Sequence, residues 1–267
     1  MECYNLPDMA FSSETISASV SIGIHGASAV GKEQTADVLA PLLGMKVINT
    51  GRSVRGAALM AHVLGQFEEG RGNAIRLRPG AEERILDWTL VGNHGLHFET
   101  RAPDVSSPIW FGDADLTGSI RPRRRGFTRQ SVMESAAALV AVNPIIRPGL
   151  LALWRNTALE VGGAVMITKN IDEYMPEAHG AFHLYVTDPA VSARYRMRRG
   201  IAATKTLPEE VAYLKERDRL HLDNGLEFIP KRAKKIDMTQ LLLQRNGFQD
   251  AASLMVRDLG RRFRLAR

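Results

Sequence analysis

The sequence is short of cysteine and has no long hydrophobic run, and both shortages restrict what the protein can be. Cys3 is the only cysteine among 267 residues, so the chain has no internal disulfide and is expected in a reducing compartment, the cytoplasm. No stretch approaches the roughly 18 apolar residues that a membrane-spanning helix needs. The N-terminal segment also lacks the basic and apolar parts of a signal peptide. We therefore expect a cytoplasmic globular protein without membrane contact, preceded by a flexible extension over residues 1–19.

Acidic residues are fewer than basic ones. The chain has 29 Asp and Glu against 35 Lys and Arg, which gives a net charge of +6. This excess suits an anionic partner, nucleotide phosphates or nucleic acid, although it also serves solubility alone. The arginines are concentrated in two segments, 121–129 and 194–199, which are the candidate contacts for phosphate.

The order of apolar segments predicts an α/β fold with a parallel sheet. Residues 20–25 are typical of a buried strand, the next helix ends at Gly44, and 45–49 form a second strand before another helix. Residues 68–84 are predicted to be a loop, and strands at 86–91 and 95–100 open a small antiparallel insertion. The later predicted elements are a helix over 129–160 broken at Asn143-Pro144, strands at 162–168 and 181–187, and helices at 188–199, 207–222 and 247–260.

The first loop carries a phosphate-binding motif. Its residues, GASAVGK, fit G-x-x-x-x-G-K between a predicted strand and a predicted helix. The glycines let successive N–H groups face phosphate oxygens, the helix N-terminus adds its positive dipole, and the lysine reaches the β- and γ-phosphates. An ordinary tight turn is the alternative. The candidate nucleotide-binding residues are Gly26, Ala27, Ser28, Ala29, Val30, Gly31, Lys32, Glu33, Gln34 and Thr35.

The residue after the lysine departs from the usual motif. A Ser or Thr at that position holds Mg²⁺, but this chain has Glu33, followed by Gln34. A carboxylate beside phosphates repels them. We expect Glu33 to face solvent in the first turn of the helix, where the dipole favours it. The alternative is that Glu33 and Gln34 are metal ligands.

Further motifs follow in order along the chain. They are Asn49 to Arg55 (NTGRSVR), Leu116 to Arg121 (LTGSIR), Ala141 to Arg147 (AVNPIIR) and Lys215 to Asp218 (KERD). With the glycine loop, they resemble G-P-S-G-x-G-K, D-[ST]-G-x-x-Y-R, V-[ST]-x-x-I-R, A-A-x-P-x-V-R and K-x-R-D of the cytidylate kinase family of P-loop nucleoside monophosphate kinases. The resemblance runs from Val20 to the final helix.

This resemblance implies a three-layer α/β/α P-loop NTPase fold with a central parallel sheet and a small antiparallel β insertion. The implied kinase domain covers 20–267, with its core at 20–67 and 122–267, an acceptor-binding insertion at about 68–121 and a lid at about 194–207. The implied reaction is transfer of a phosphoryl group from ATP, with Mg²⁺, to a nucleoside monophosphate, by default CMP or dCMP. The implied assembly is a monomer.

The resemblance also implies roles for individual residues. Arginine suits phosphate because its guanidinium stays protonated and its fork matches phosphate oxygens. The implied catalytic residues are Lys32, Arg147, Lys169, Arg196 and Arg217. The implied acceptor-binding residues are Asn49, Arg55, Arg121, Ala138, Arg147 and Asn170.

Several positions depart from the family pattern. Asn49 replaces an aspartate, Ala138 a serine, and Lys169-Asn170 an arginine-aspartate pair. Negative charge is lost while positive charge is retained, which favours an acceptor that is more anionic or differently shaped. Carboxylates for a Mg²⁺ shell would have to come from Glu33, Asp172 or Glu173, and the last two are expected to be loop residues in water.

Two other functions stay open. A kinase that acts on a modified pyrimidine nucleotide, or on a hydroxymethylated base in DNA, would use the basic patch Arg121, Arg123, Arg124, Arg125 and Arg129 as a phosphate track. A nucleotide-binding regulatory protein that has lost catalysis would account for Glu33, Asn49 and Asn170.

Overall fold

The computed structural model describes most of the predicted domain. The described residues are 21–69, 75–90, 96–98, 109–111, 114–115, 130–169, 171–173, 175–202, 205–223 and 232–265. The predicted features that lie outside them are the extension over 1–19, the motif Leu116 to Arg121, the arginine segment 121–129 and Asn170.

Helices and strands alternate along the described chain. The strands are β1 Ile22–Gly26, β2 Lys46–Asn49, β3 Phe67–Glu69, β4 Ile75–Leu77, β5 Leu96–Phe98, β6 Ile109–Phe111, β7 Ala114–Asp115, β8 Ala164–Ile167, β9 Gly180–Tyr185 and β10 Lys234–Asp237. The α-helices are α1 Lys32–Leu43, α2 Thr50–Val63, α3 Ala81–Leu90, α4 Gln130–Val142, α5 Ile146–Glu160, α6 Pro189–Arg198, α7 Leu207–Asp223 and α8 Gly247–Leu265. Short 3₁₀ turns lie at Ile171–Glu173 and Leu241–Leu243.

Five parallel strands form the main sheet, in the order β10-β9-β1-β8-β2. The first strand, β1, is central: Ile22 lies opposite Val165 of β8 on one side and Gly180 of β9 on the other. Because all five strands run the same way, their carboxyl ends meet at one edge, where ligands of open α/β sheets bind. The predicted parallel sheet is confirmed.

Helices cover both faces of the sheet, which makes three layers. Along β8 the side chains alternate, since Val165 is buried with Leu39 of α1 and Met255 of α8. Its neighbour Met166 is buried in a second core with Leu150 of α5. Buried strands between two helical layers are apolar on both faces. The three-layer α/β/α fold that the sequence predicted is therefore confirmed.

Between α2 and α4 the described residues contain two small antiparallel sheets, β3-β4 and β5-β6-β7. The expected antiparallel insertion is thus present, but the loop predicted at 68–84 and the strand predicted at 86–91 are wrong. Most of β3, all of β4 and the start of α3 lie within 68–84, and α3 continues to Leu90. Its residues Ala81 and Ile85, one helical turn apart, are fully buried, so the apolar spacing is helical rather than alternating. Two glutamates in its first turn, Glu82 and Glu83, complement the helix dipole.

The predicted break at Asn143 separates α4 from α5. The Asn143 side-chain oxygen accepts hydrogen bonds from the backbone N–H groups of Ile145 (2.9 Å) and Ile146 (3.1 Å). It thereby satisfies donors at the start of α5. Within the described residues no single helix is long and apolar enough to span a membrane, and the pair α4–α5 reaches that length only across an 84° bend.

A chain of buried hydrogen bonds ties α2 and α5 to the carboxyl end of β8. The indole Nε1 of Trp154 donates to Ser53 Oγ (2.6 Å). Ser53 Oγ in turn donates to the carbonyl of Thr50 (2.7 Å), and Thr50 Oγ1 donates to the carbonyl of Ile167 (3.0 Å). These bonds fix the start of α2 beside the edge where the strands end.

We expect Ser53→Ala to lower the free energy of unfolding by about 1–3 kcal/mol, because the buried indole loses its Ser53 acceptor. Adding Trp154→Phe to Ser53→Ala removes the donor as well, so part of the loss of hydrogen bonding is relieved. Urea unfolding of both variants measures the difference. A Ser53→Ala protein within about 0.5 kcal/mol of wild type, the range of ordinary surface changes, would contradict this role.

Candidate phosphate-binding site

The loop between β1 and α1 adopts a strained backbone. Gly31 has a φ of 84°, and a Cβ at this position would lie 2.6 Å from Cε1 of Phe248 on α8. Glycine is therefore required there for two reasons. Ala29 has a φ of 61°, which costs a non-glycine residue about 1–2 kcal/mol. Strain of this kind is characteristic of functional loops, where the surrounding structure holds it.

The lysine of the motif folds back over its own loop. Lys32 Nζ donates to the carbonyl oxygens of Gly26 (2.6 Å) and Ala27 (2.5 Å). The ammonium group is thus held above the loop at the N-terminus of α1, where a phosphate-binding lysine is needed. The predicted strand–loop–helix arrangement around Lys32 is present.

A carboxylate from α7 contacts the same loop. The backbone N–H of Ser28 donates to Asp218 Oδ1 at 3.0 Å. Asp218 ends the KERD motif, so the structure brings that motif to the glycine loop. Backbone N–H groups of such loops are the donors that bind phosphate oxygens. The Asp218 carboxylate therefore occupies a donor that a phosphate would use.

We expect Asp218→Ala to bind inorganic pyrophosphate about fivefold more tightly than wild type, because the Ser28 amide is released for about 1 kcal/mol of recovered hydrogen bonding. Titration calorimetry measures the change. Asp223→Ala is the matched control, since Asp223 lies on the same helix and pairs with the exposed Arg219. Weaker binding by Asp218→Ala would show that the carboxylate supports the loop rather than competing for it.

Glu33 is only partly exposed, whereas the sequence predicts a side chain that faces solvent. It is half-buried, and its Oε1 accepts a hydrogen bond of 2.8 Å from Nδ2 of Asn49, a buried residue at the end of β2. The pKa of Tyr195 on α6 is raised, chiefly by burial, and the negative charge of Glu33 contributes to that rise. The hydrogen bond from Asn49 therefore ties Glu33, at the start of α1, to the end of β2.

His25 is a site residue that the sequence did not reveal. It is 1% exposed at the end of β1, and its Nδ1 lies 3.0 Å from the carbonyl of Lys169. Because a carbonyl only accepts, Nδ1 carries the proton. Burial lowers the pKa of His25 to about 4, against a smaller opposing effect of that hydrogen bond. The neutral ring thus ties the end of β1 to the segment that follows β8.

Because of His25, we expect the folded protein to lose stability in acid. The unfolded chain takes up the proton below a pKa of 6.5, whereas the folded ring stays neutral down to about 4. Acidification between these values therefore favours unfolding, by about 3 kcal/mol at most. We expect wild type to lose that much more stability than His25→Asn between pH 6.5 and 4 in urea titrations. Equal losses in the two proteins would contradict the neutral histidine.

The acidic residues after β8 pair with arginines. Glu173 forms a two-bond ion pair with Arg147 in the first turn of α5, and Arg147 also donates to the carbonyl of Ala141 (2.7 Å). Asp172 pairs with Arg232. The expectation that Asp172 and Glu173 are loop carboxylates in water is therefore incomplete, since each is bound to a guanidinium.

The predicted lid corresponds to the end of α6, the connection after it and the start of α7. Arg196 Nε donates to Glu210 Oε1 at 2.5 Å, and Glu210 is fully buried. Lys205 Nζ lies 3.4 Å from the second Glu210 oxygen and 3.8 Å from the centre of the Tyr213 ring. A buried carboxylate needs such compensation. Arg196 thus joins the two helices, and its catalytic role stays a prediction.

The other described candidates lie on several elements. Thr35 is fully buried on α1. The half-buried candidates are Gln34 on α1, Arg55 on α2, Ala138 on α4, Lys169 after β8 and Arg217 on α7. The structure thus joins Lys32, Glu33 and Asn49 with the helix that carries Arg217. Arg147 lies on a separate element, with Glu173.

Comparison with known proteins finds distant similarities. No family model matches the chain. It is 26% identical over 242 residues to the cytidylate kinase of Streptococcus thermophilus, covering 81% of this chain and 97% of that protein. It is also 26% identical over 212 residues to the cytidylate kinase of Symbiobacterium thermophilum, covering 77% and 81%. The chain is therefore distantly similar to these proteins along most of its length.

A solved structure, the dephospho-CoA kinase of Campylobacter jejuni, aligns with 91% of this chain and 98% of its own, at 14% identity and a TM-score of 0.37.

Proposed function

We propose that the protein is an ATP-dependent phosphotransferase that acts on a nucleoside monophosphate, with CMP or dCMP as the default acceptor. The observation that carries the proposal is the glycine loop on the central strand, with Lys32 above it. Support comes from the distant relationship to cytidylate kinases. Phosphoryl transfer requires mainly positioning and neutralisation of charge, and a loop of backbone N–H groups with a lysine supplies both.

The geometry of the loop supports the binding of ATP phosphates. The space that a Cβ would fill at Gly31 is closed by Phe248, so no side chain extends from the backbone at this position. The Ser28 N–H and the Lys32 ammonium already bind oxygen acceptors. ATP binding would replace those acceptors with phosphate oxygens.

The acceptor side depends on Arg147. This arginine begins α5 and pairs with Glu173, so an acceptor phosphate would take the place of the Glu173 carboxylate. The guanidinium fork matches either partner in the same two-bond geometry. We therefore propose Arg147 as the acceptor clamp and Glu173 as the residue that holds it before the acceptor binds.

The test is transfer of label from γ-labelled ATP with Mg²⁺. The acceptors are CMP, dCMP, UMP, dUMP, AMP, modified pyrimidine nucleotides, and duplex DNA with and without hydroxymethylated bases. We expect transfer to CMP or dCMP, and a loss of at least about a hundredfold in Lys32→Ala, because charge stabilisation in the transition state disappears. Lys235→Ala, which changes an exposed lysine on β10, is the control and keeps full activity.

The outcomes separate the three functions. Transfer only to a modified nucleotide or to DNA would support the second kinase function, whose basic patch lies outside the described residues. Binding of ATP without any transfer would support a regulatory protein. Activity that survives Lys32→Ala would overturn the assignment of the loop.

A further inference from the structure

We propose that Glu33, held in position by Asn49, supplies the protein carboxylate for the divalent cation that accompanies the nucleotide phosphates. The inference rests on the proposed function, because the cation arrives with the nucleotide. In the usual motif, the residue after the lysine is Ser or Thr, and its hydroxyl is the metal ligand. In this chain that residue is a glutamate.

The contact between Glu33 and Asn49 fixes the carboxylate. Asn49 Nδ2 donates to Glu33 Oε1 at 2.8 Å, and Asn49 is 7% exposed, so its amide is set by the surrounding core. The bond uses one lone pair of one oxygen, and a carboxylate has further lone pairs on both oxygens. Glu33 therefore keeps the capacity to bind a cation while its orientation is restricted.

Asn49 gives up a common stabilising contact in this arrangement. It is the N-cap residue of α2, and its side chain makes no capping hydrogen bond to that helix. Asparagine is among the best N-cap residues, and a cap contributes about 1 kcal/mol. A local preference that is not used indicates a competing requirement, often functional. Here the competing contact is the hydrogen bond to Glu33.

The other acidic residues near the loop have partners of their own, which leaves Glu33 as the carboxylate for the cation. Asp172 and Glu173 face arginines, and Asp218 faces the Ser28 N–H. In the part of the chain that is described, no three His, Cys, Asp or Glu side chains form a metal-binding group. Mg²⁺ takes one or two carboxylates together with phosphate oxygens and water. Without a cation, Glu33 would repel the phosphates; with one between them, it attracts the complex.

The effect of Glu33 on nucleotide binding therefore changes sign when a cation is present, and the experiment measures binding with and without one. Glu33→Gln keeps an oxygen acceptor for Asn49 and removes only the charge. We expect it to bind metal-free ADP about threefold more tightly than wild type and Mn²⁺-ADP about tenfold more weakly. Calorimetry with ADP, in EDTA and in Mn²⁺, measures both affinities, and the electron paramagnetic resonance signal of free Mn²⁺ measures the cation directly. A merely structural role would move both affinities in the same direction.

A second variant moves the carboxylate across the same hydrogen bond. In Glu33→Gln with Asn49→Asp, the amide is on α1 and the carboxylate is at the end of β2. We expect this pair to recover Mn²⁺-ADP affinity to within about threefold of wild type. Glu216→Gln is the control, since Glu216 is exposed on α7 and pairs with Arg219, and it changes neither affinity.

The results distinguish this inference from the proposed function. If wild type binds ADP neither in EDTA nor in Mn²⁺, the proposed function fails. If ADP binds and Glu33→Gln leaves Mn²⁺-ADP affinity unchanged, only the role of Glu33 is overturned. Loss of Mn²⁺-ADP affinity in Asp218→Ala, with Glu33→Gln unaffected, would also overturn it and assign the cation to Asp218.

Discussion

The parallel pairing of β1 with both β8 and β9 is the constraint on which the candidate site depends. Hydrogen bonds on both sides of this strand fix the point where it ends and the glycine loop begins. The ends of β2 and β8 lie at the same edge, where they contact the elements on either side of the loop. Asn49 at the end of β2 holds Glu33 on α1, and the carbonyl of Lys169 after β8 accepts from His25 of β1. The loop itself contacts α7, since the Ser28 N–H donates to Asp218.

Acidic side chains on the helices and loops of the domain are compensated within the chain. Glu173 pairs with Arg147 and the buried Glu210 with Arg196, while Asp218 accepts from the Ser28 N–H. Partially buried charges are tolerated only when compensated in this way. A phosphate ligand would thus bind by exchange, replacing a carboxylate or a carbonyl at each donor. The positive net charge of the chain then attracts the ligand, while specific affinity depends on how well phosphate competes with the internal partners.

The local pattern was sufficient for most of the central fold and insufficient for the partners in the site. The run Ile22 to Gly26, the motif ending at Lys32 and the break at Asn143 each have a signal within a few residues, and each was predicted. The helix α3 was not, because a short apolar segment fits either period until burial shows which face is covered. The Ser28–Asp218 bond joins residues 190 positions apart, and no local pattern encodes such a pair. His25 is a single histidine in an apolar strand, and its role depends on the neighbouring strand.

The left-handed conformation of Ala29 has a consequence for how the loop can be used. An alanine does not adopt this φ by its own preference, so the shape of the loop is imposed by the strands, by α7 and by the Phe248 ring against Gly31. The seven residues GASAVGK therefore do not carry their conformation with them. Transplanted alone into another protein, or excised as a peptide, they would relax and lose this conformation; only the loop together with these neighbours is a transferable unit.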